Sequence, residues 1–150
     1  MAGLGGDSSA AAAVLMGLNR HWKLRFTKRD LAEMAAELGS DVPFFIYGGT
    51  CLMESRGEKI TSLPAILHRW IVLVIPNVKK TEDKTKNAYA QIIPNHYSDG
   101  ELTKKMVGDI TTRQEFDHAT LFNTFENISF AAGSELAAYR EHLVKTGATH

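Results

Sequence analysis

Apolar positions recur at helical spacing through most of this chain. Val14, Leu15, Leu18 and Trp22 lie three and four apart, which predicts an amphipathic helix from Ser9 to about His21. An alanine-rich helix packed closely on a sheet is the alternative over the same residues. Leu31, Met34, Ala35 and Leu38 form a second stripe. Thr27 and Asp30 ahead of it make a capping signature, and Gly39 is suited to the C′ position. The period then shortens. Thr50–Ser55 and Lys59–Leu63 read as two strands turning at Arg56-Gly57, and Trp70–Ile75 is a continuous apolar run expected to be a buried strand.

Beyond Pro76-Asn77 the texture changes. Lys79–Lys86 is a charged loop leading into a short helix bearing Ala88, Tyr89 and Ile92, and Pro94–Gly100 is rich in turn formers. Three more helical faces follow. Leu102, Met106, Val107 and Ile110 make one, Leu121, Phe122, Phe125 and Ile128 another, and Leu136, Tyr139, Leu143 and Val144 a last one ending at Gly147. The order is helix, helix, hairpin, strand and then mostly helices, an α+β pattern with too few strands to close a sheet. A domain boundary is expected near Pro64–Arg69, dividing the chain into residues 1–68 and 69–150.

Composition narrows the function classes. The 17 basic and 17 acidic side chains balance, so net charge gives no argument for nucleic acid or an acidic membrane as partner. Cys51 is the only cysteine, which excludes an intrachain disulfide and a cysteine-based metal cage and fits a reducing compartment. The apolar stretch Ala10–Leu18 has no basic segment before it and is too short to span a bilayer, so the chain is expected to be cytoplasmic.

The chemistry concentrates in two places. Ala2-Gly-Leu-Gly-Gly-Asp-Ser-Ser9 runs straight into a helix. Glycines permit positive φ and close approach of a ligand, and a helix N-terminus offers unpaired N–H groups to an anion. Ser8 or Ser9 is placed to cap the helix or to give a hydroxyl to a phosphate or metal. A Walker A loop would need Gly-Lys-Ser/Thr, and no lysine occurs before Lys23. A dinucleotide fingerprint would need a third glycine at Ser8 and an acidic strand end where the Thr27 helix lies. A plain glycine turn capping a helix is the other reading. The second place is Asp41, which Pro43 holds at a stiff corner. It suits either a helix cap or a general base on a substrate hydroxyl. Gly48-Gly49 reads as a turn. Thr81 and Thr85 lie in the lysine-rich loop, either solvated or facing an anionic substrate.

In combination these segments resemble a known family. Ala2–Ser9, the Gly17-Leu-Asn19 helix end and Glu37-Leu-Gly-Ser-Asp-Val-Pro-Phe-Phe45 occur in the order and spacing of the GHMP kinase superfamily. Gly6-Asp7 and the Leu38–Phe45 stretch are similar to its branch acting on 4-diphosphocytidyl-2-C-methyl-D-erythritol. The resemblance implies a ribosomal S5 domain 2-like N-domain and a ferredoxin-like C-domain, both incomplete over these residues. It implies ATP with Mg²⁺, held by residues of unknown identity, and a phosphate loop of Ala2, Gly3, Leu4, Gly5, Gly6, Asp7, Ser8 and Ser9. Asp41 becomes the catalytic residue and Thr85 a substrate contact, with Thr81 competing. The reaction implied is phosphorylation of the substrate's 2-hydroxyl in non-mevalonate isoprenoid synthesis. Homoserine or mevalonate kinases, or a non-catalytic nucleotide-binding module, are the alternatives.

The chain also departs from the family pattern. Ala10 stands where the family often has Asp or Asn. The strands with the family's lysine and cytidine pocket, and the later Gly-Ser-Gly motif, are not among these residues. An internal segment of a longer enzyme, inactive or nearly so alone, is therefore expected.

Overall fold

The computed structural model describes residues 4–75, 84–129 and 135–148. They fall into two compact units, Met1–Ile66 and Leu67–His150. In the first, α1 (Gly6–His21), α2 (Lys28–Leu38) and α3 (Val42–Tyr47) are followed by an antiparallel hairpin, β1 (Thr50–Glu54) and β2 (Lys59–Leu63). The pairing runs from Thr50 opposite Leu63 to Glu54 opposite Lys59. Helices with a separate antiparallel pair make this an α+β arrangement.

Alanine decides how the helices meet. Ala12 and Ala35 are fully buried, joined by Leu31, Ala32, Val42 and Ile46, with Ala11, Leu15, Met34, Phe45 and Tyr47 packed around them. The face of α1 that packs is thus Ala11, Ala12 and Leu15, whereas Val14, Leu18 and Trp22 of the expected stripe are exposed. A methyl side chain lets backbones approach closely, so α1 contacts α3 and α2 through its smallest residues. Neither expected reading of α1 holds in full: its packed face is alanine-rich, but the helix is largely exposed and its main neighbours are α2 and α3. Asn19 then fixes the chain's exit from α1. Its Nδ2 donates to the Phe26 carbonyl and its Oδ1 accepts from the Phe26 N–H, both at 3.0 Å.

Thr27 starts α2 with a complete capping box. The Thr27 hydroxyl accepts from the Asp30 N–H at 3.2 Å, and the Asp30 carboxylate accepts from the Thr27 N–H at 2.8 Å and from its hydroxyl at 2.8 Å. These bonds hold the Asp30 carboxyl below its ordinary pKa. A depressed folded-state pKa gives stability that is full above the unfolded pKa and lost as pH falls through the folded one. Loss of the hydroxyl cap in Thr27→Ala is expected to cost about 1 kcal/mol at neutral pH. The gap from the parent should narrow in acid, as checked by urea denaturation across pH. Gly39 differs from its expected left-handed C′ role. It sits extended at the end of α2 (φ 168°, ψ 154°), and its N–H donates to the Ala35 carbonyl at 3.2 Å.

The second unit holds α4 (Lys84–Ala90), α5 (Glu101–Arg113), α6 (Glu126–Ser129) and α7 (Glu135–Lys145), with single 3₁₀ turns at Pro94–His96 and His118–Thr120. Ile110 and Thr120 are its buried residues among those described, and Tyr89 meets Phe125 edge-on at 5.0 Å. Two expectations fail here. Trp70–Ile75 forms no strand and is solvent-exposed, Trp70 to 92%. A strand needs a ladder partner, and the strands among the described residues, β1 and β2, pair with each other. The helix expected through Leu121–Ile128 is broken. Asp117 Oδ1 accepts from the Ala119 N–H at 2.9 Å and Asn123 Oδ1 from the Phe125 N–H at 3.0 Å. Such Asx bonds favour turns over helix, leaving Glu126–Ser129 as the only α-helix in that stretch. No helix among the described residues is long and apolar enough to cross a membrane.

Candidate active site

The phosphate-loop candidates lie at the start of α1. Ala2 and Gly3 fall outside the described residues. Leu4 is exposed, and Gly5 is the N-cap in the left-handed region (φ 64°, ψ 21°). The helix begins at Gly6, three residues before the expected Ser9. The Ser9 N–H donates to the Gly5 carbonyl at 2.8 Å, so it closes the first helical turn. The N–H groups of Gly6, Asp7 and Ser8 precede that bond and have no acceptor within the helix. Neither serine caps it. The N-cap receives no side-chain bond, and Ser9 Oγ donates to the Gly6 carbonyl at 2.8 Å. A β-carbon added to Gly6 would find nothing within 4 Å, so open space faces the backbone there.

Gly5 has the opposite surroundings. A β-carbon there would lie 2.7 Å from Phe45 Cζ, so only glycine lets the loop rest against that ring. Phe45 belongs to α3, whose N-cap is Asp41. One six-residue helix therefore carries the support of the glycine loop, and the candidate carboxylate stands at its N-cap. Val42, Pro43 and Ile46 bury α3 against α1 and α2, with Pro43 in the first turn, where its missing N–H costs nothing.

Asp41 occupies the cap position without capping. Its backbone is helical (φ −88°, ψ −16°), and its side chain makes no hydrogen bond to the helix it precedes. The residue is exposed, and no ion pair among the described residues involves it. The helix-cap reading predicted an occupied carboxylate; the structure leaves those oxygens unengaged by the cap. Thr85 lies within α4, and Thr81 lies outside the described residues. Gly48 and Gly49 form a turn with positive φ and open space around each. Among the described residues no three His, Cys, Asp or Glu side chains gather as a metal site.

One supporting residue escaped the sequence reading. Phe45 passes for ordinary core; its signal lies in its pairing with Gly5, far back along the chain, which periodicity does not record.

Comparison with known proteins bears on this site directly. The family described as GHMP kinases N terminal domain matches residues 1–49, a span holding the loop, Asp41 and Phe45. Over those residues the chain is similar to GHMP kinases. Proteins named 4-diphosphocytidyl-2-C-methyl-D-erythritol kinase are similar along nearly all of it. That of Dehalococcoides mccartyi is 44% identical over 148 residues, covering 99% of this chain and 52% of the relative. That of Brevibacillus brevis is 39% identical over 150 residues, with 98% and 50% covered. That of Listeria monocytogenes is 35% identical over 148 residues, with 98% and 49% covered. The chain thus spans about half the length of these curated relatives. Similarity to GHMP kinases over residues 1–49 accords with a glycine loop that is neither a Walker A loop nor a dinucleotide fingerprint. The matched similarity also continues well past the GHMP N-terminal match, through the hairpin and the second unit.

Proposed function

We propose that this chain carries the phosphate loop and the catalytic carboxylate of an ATP-dependent small-molecule kinase. Its acceptor is the 2-hydroxyl of 4-diphosphocytidyl-2-C-methyl-D-erythritol. The observation that carries the reading is the shared mounting of the two parts: Gly5 rests on Phe45 of α3, and Asp41 is the N-cap of that same short helix. An anion cradle and a fixed carboxylate are the essential protein parts of phosphoryl transfer, where positioning and electrostatics do most of the catalysis.

In this reading the N–H groups of Gly6, Asp7 and Ser8 receive nucleotide phosphate oxygens, aided by the positive end of α1. Asp7 and Ser8 then contribute through their backbones. The open space at Gly6 suits close approach of such a group. Ala2, Gly3, Leu4 and Ser9 complete the loop. Asp41 takes the proton of the substrate hydroxyl as its oxygen bonds to the γ-phosphorus, and the bond to the departing ADP breaks. Mg²⁺, bound with the nucleotide, would neutralise phosphate charge. Thr85, with Thr81 as its competitor, is assigned to the substrate by family resemblance. Residues 1–68 and 69–150 are read as parts of the N-domain and C-domain, and the compartment as the cytoplasm.

A coupled assay of ADP release tests the substrate. The full polypeptide encoded by the gene is expected to turn over the diphosphocytidyl substrate at least tenfold faster than homoserine or mevalonate, on the order of the discrimination that pocket contacts supply. Faster turnover of either alternative would reassign the substrate. ATP binding without turnover of any of the three would favour a nucleotide-binding module.

A further inference from the structure

The β1–β2 turn reaches back to the segment that carries Asp41. Gly57 lies at that turn with φ 110°, a conformation side chains rarely adopt. A β-carbon there would stand 2.7 Å from the Ser40 carbonyl oxygen and 3.2 Å from Met53 Cε. The first of these neighbours is backbone and cannot swing aside as a side-chain tip can. The turn itself is well defined. The Gly57 N–H donates to the Glu54 carbonyl at 3.0 Å, the Arg56 N–H donates to the Glu58 carboxylate at 2.9 Å, and Ser55 stands at φ 62°.

Ser40 is the residue before Asp41, and the two form the short bend between α2 and α3. From the other side, the Val42 N–H donates to the Gly39 carbonyl at 3.2 Å, closing that bend. Val42 and Pro43 are buried, so the C-terminal side of Asp41 is held by core packing. What stands against its N-terminal side is the glycine of the hairpin turn.

We propose that Gly57 is a positioning residue: by bringing the hairpin turn against the Ser40 carbonyl, it sets the direction of the Asp41 carboxylate. This rests on the reading of Asp41 as the catalytic base. Gly57 itself lies outside residues 1–49, the span matched by the GHMP N-terminal description. The hairpin is thereby part of the catalytic apparatus without touching a substrate.

The test uses the full encoded polypeptide, with kcat and the KM for ATP measured for Gly57→Ala, Gly57→Asn, Asp41→Asn and the combined variants. Gly57→Ala is expected to lower kcat about tenfold to a hundredfold, the scale of a misplaced catalytic group. The KM for ATP should stay within about twofold, because the phosphate loop rests on Phe45 and not on Ser40. At φ 110° position 57 lies outside the left-handed region that Asn favours, and both variants carry the β-carbon. Gly57→Asn and Gly57→Ala should therefore lose turnover alike. In the Asp41→Asn background either substitution at position 57 should have little further effect on residual turnover. Equal losses with and without Asp41, or recovery of turnover in Gly57→Asn, would overturn the positioning role. Unchanged turnover in Asp41→Asn alone would instead overturn the assignment of the base.

Discussion

Asp41→Asn is expected to reduce kcat by about 10²- to 10⁴-fold, the usual contribution of a positioned general base. The KM for ATP should change little. Asparagine keeps the shape and one acceptor oxygen but cannot take the hydroxyl proton. At about 1.4 kcal/mol per decade, the loss corresponds to roughly 3–5 kcal/mol of transition-state stabilisation. Stability should not follow turnover down. The Asp41 side chain caps nothing, and α3 is held by Val42, Pro43 and Ile46. A cap residue would behave in the reverse manner, with its loss costing about 1 kcal/mol of stability and leaving chemistry intact. Steady-state kinetics and urea denaturation on the same variant therefore separate the two roles. Turnover within twofold of the parent, paired with a lower denaturation midpoint, would return Asp41 to a structural cap.

The contrast between Asp41 and Thr27 marks what the sequence makes legible. Thr27 and Asp30 satisfy each other across three residues, and the capping box appears where local spacing predicts it. The hairpin is equally local. Arg56-Gly57 lies in the turn between strands that end within a residue of expectation. Asp41 shares the same cap chemistry on paper, but its carboxylate is not used that way, because the buried Pro43 and Val42 already define the helix start. Tertiary packing also decided which face of α1 is inside. Hydrophobicity alone favoured Val14, Leu18 and Trp22, whereas close approach of helices selected Ala11 and Ala12. Trp70–Ile75 is the converse case. Its β-branched composition states a preference for strand, but preference becomes structure only with a ladder partner. The loop-to-Phe45 and turn-to-Ser40 contacts join residues separated by 40 and 17 positions respectively, which no local pattern encodes.

Gly5→Ala should weaken nucleotide binding. Two independent costs meet at this position. The left-handed backbone (φ 64°) costs a non-glycine residue roughly 1–2 kcal/mol. The new methyl would also fall 2.7 Å from Phe45 Cζ, forcing the ring or the loop to move. A shift of the loop displaces the Gly6, Asp7 and Ser8 N–H groups together, since they follow Gly5 into the first turn of α1. The expected result is at least a tenfold weaker ATP affinity by calorimetry, with a lower denaturation midpoint. Gly6→Ala is the matched control for stability. Its methyl meets nothing within 4 Å and its helical backbone accepts alanine, so stability should hold or rise by a few tenths of a kcal/mol. Combining Gly5→Ala with Phe45→Leu separates the two costs. Leucine retracts the atoms that the methyl would strike, so the steric part should be recovered while the backbone cost persists. The double variant should therefore bind ATP more tightly than Gly5→Ala alone, a coupling of about 0.5–3 kcal/mol for residues in contact. Additive losses would mean that Phe45 does not support the loop, and α3 would then have no part in joining the phosphate cradle to Asp41.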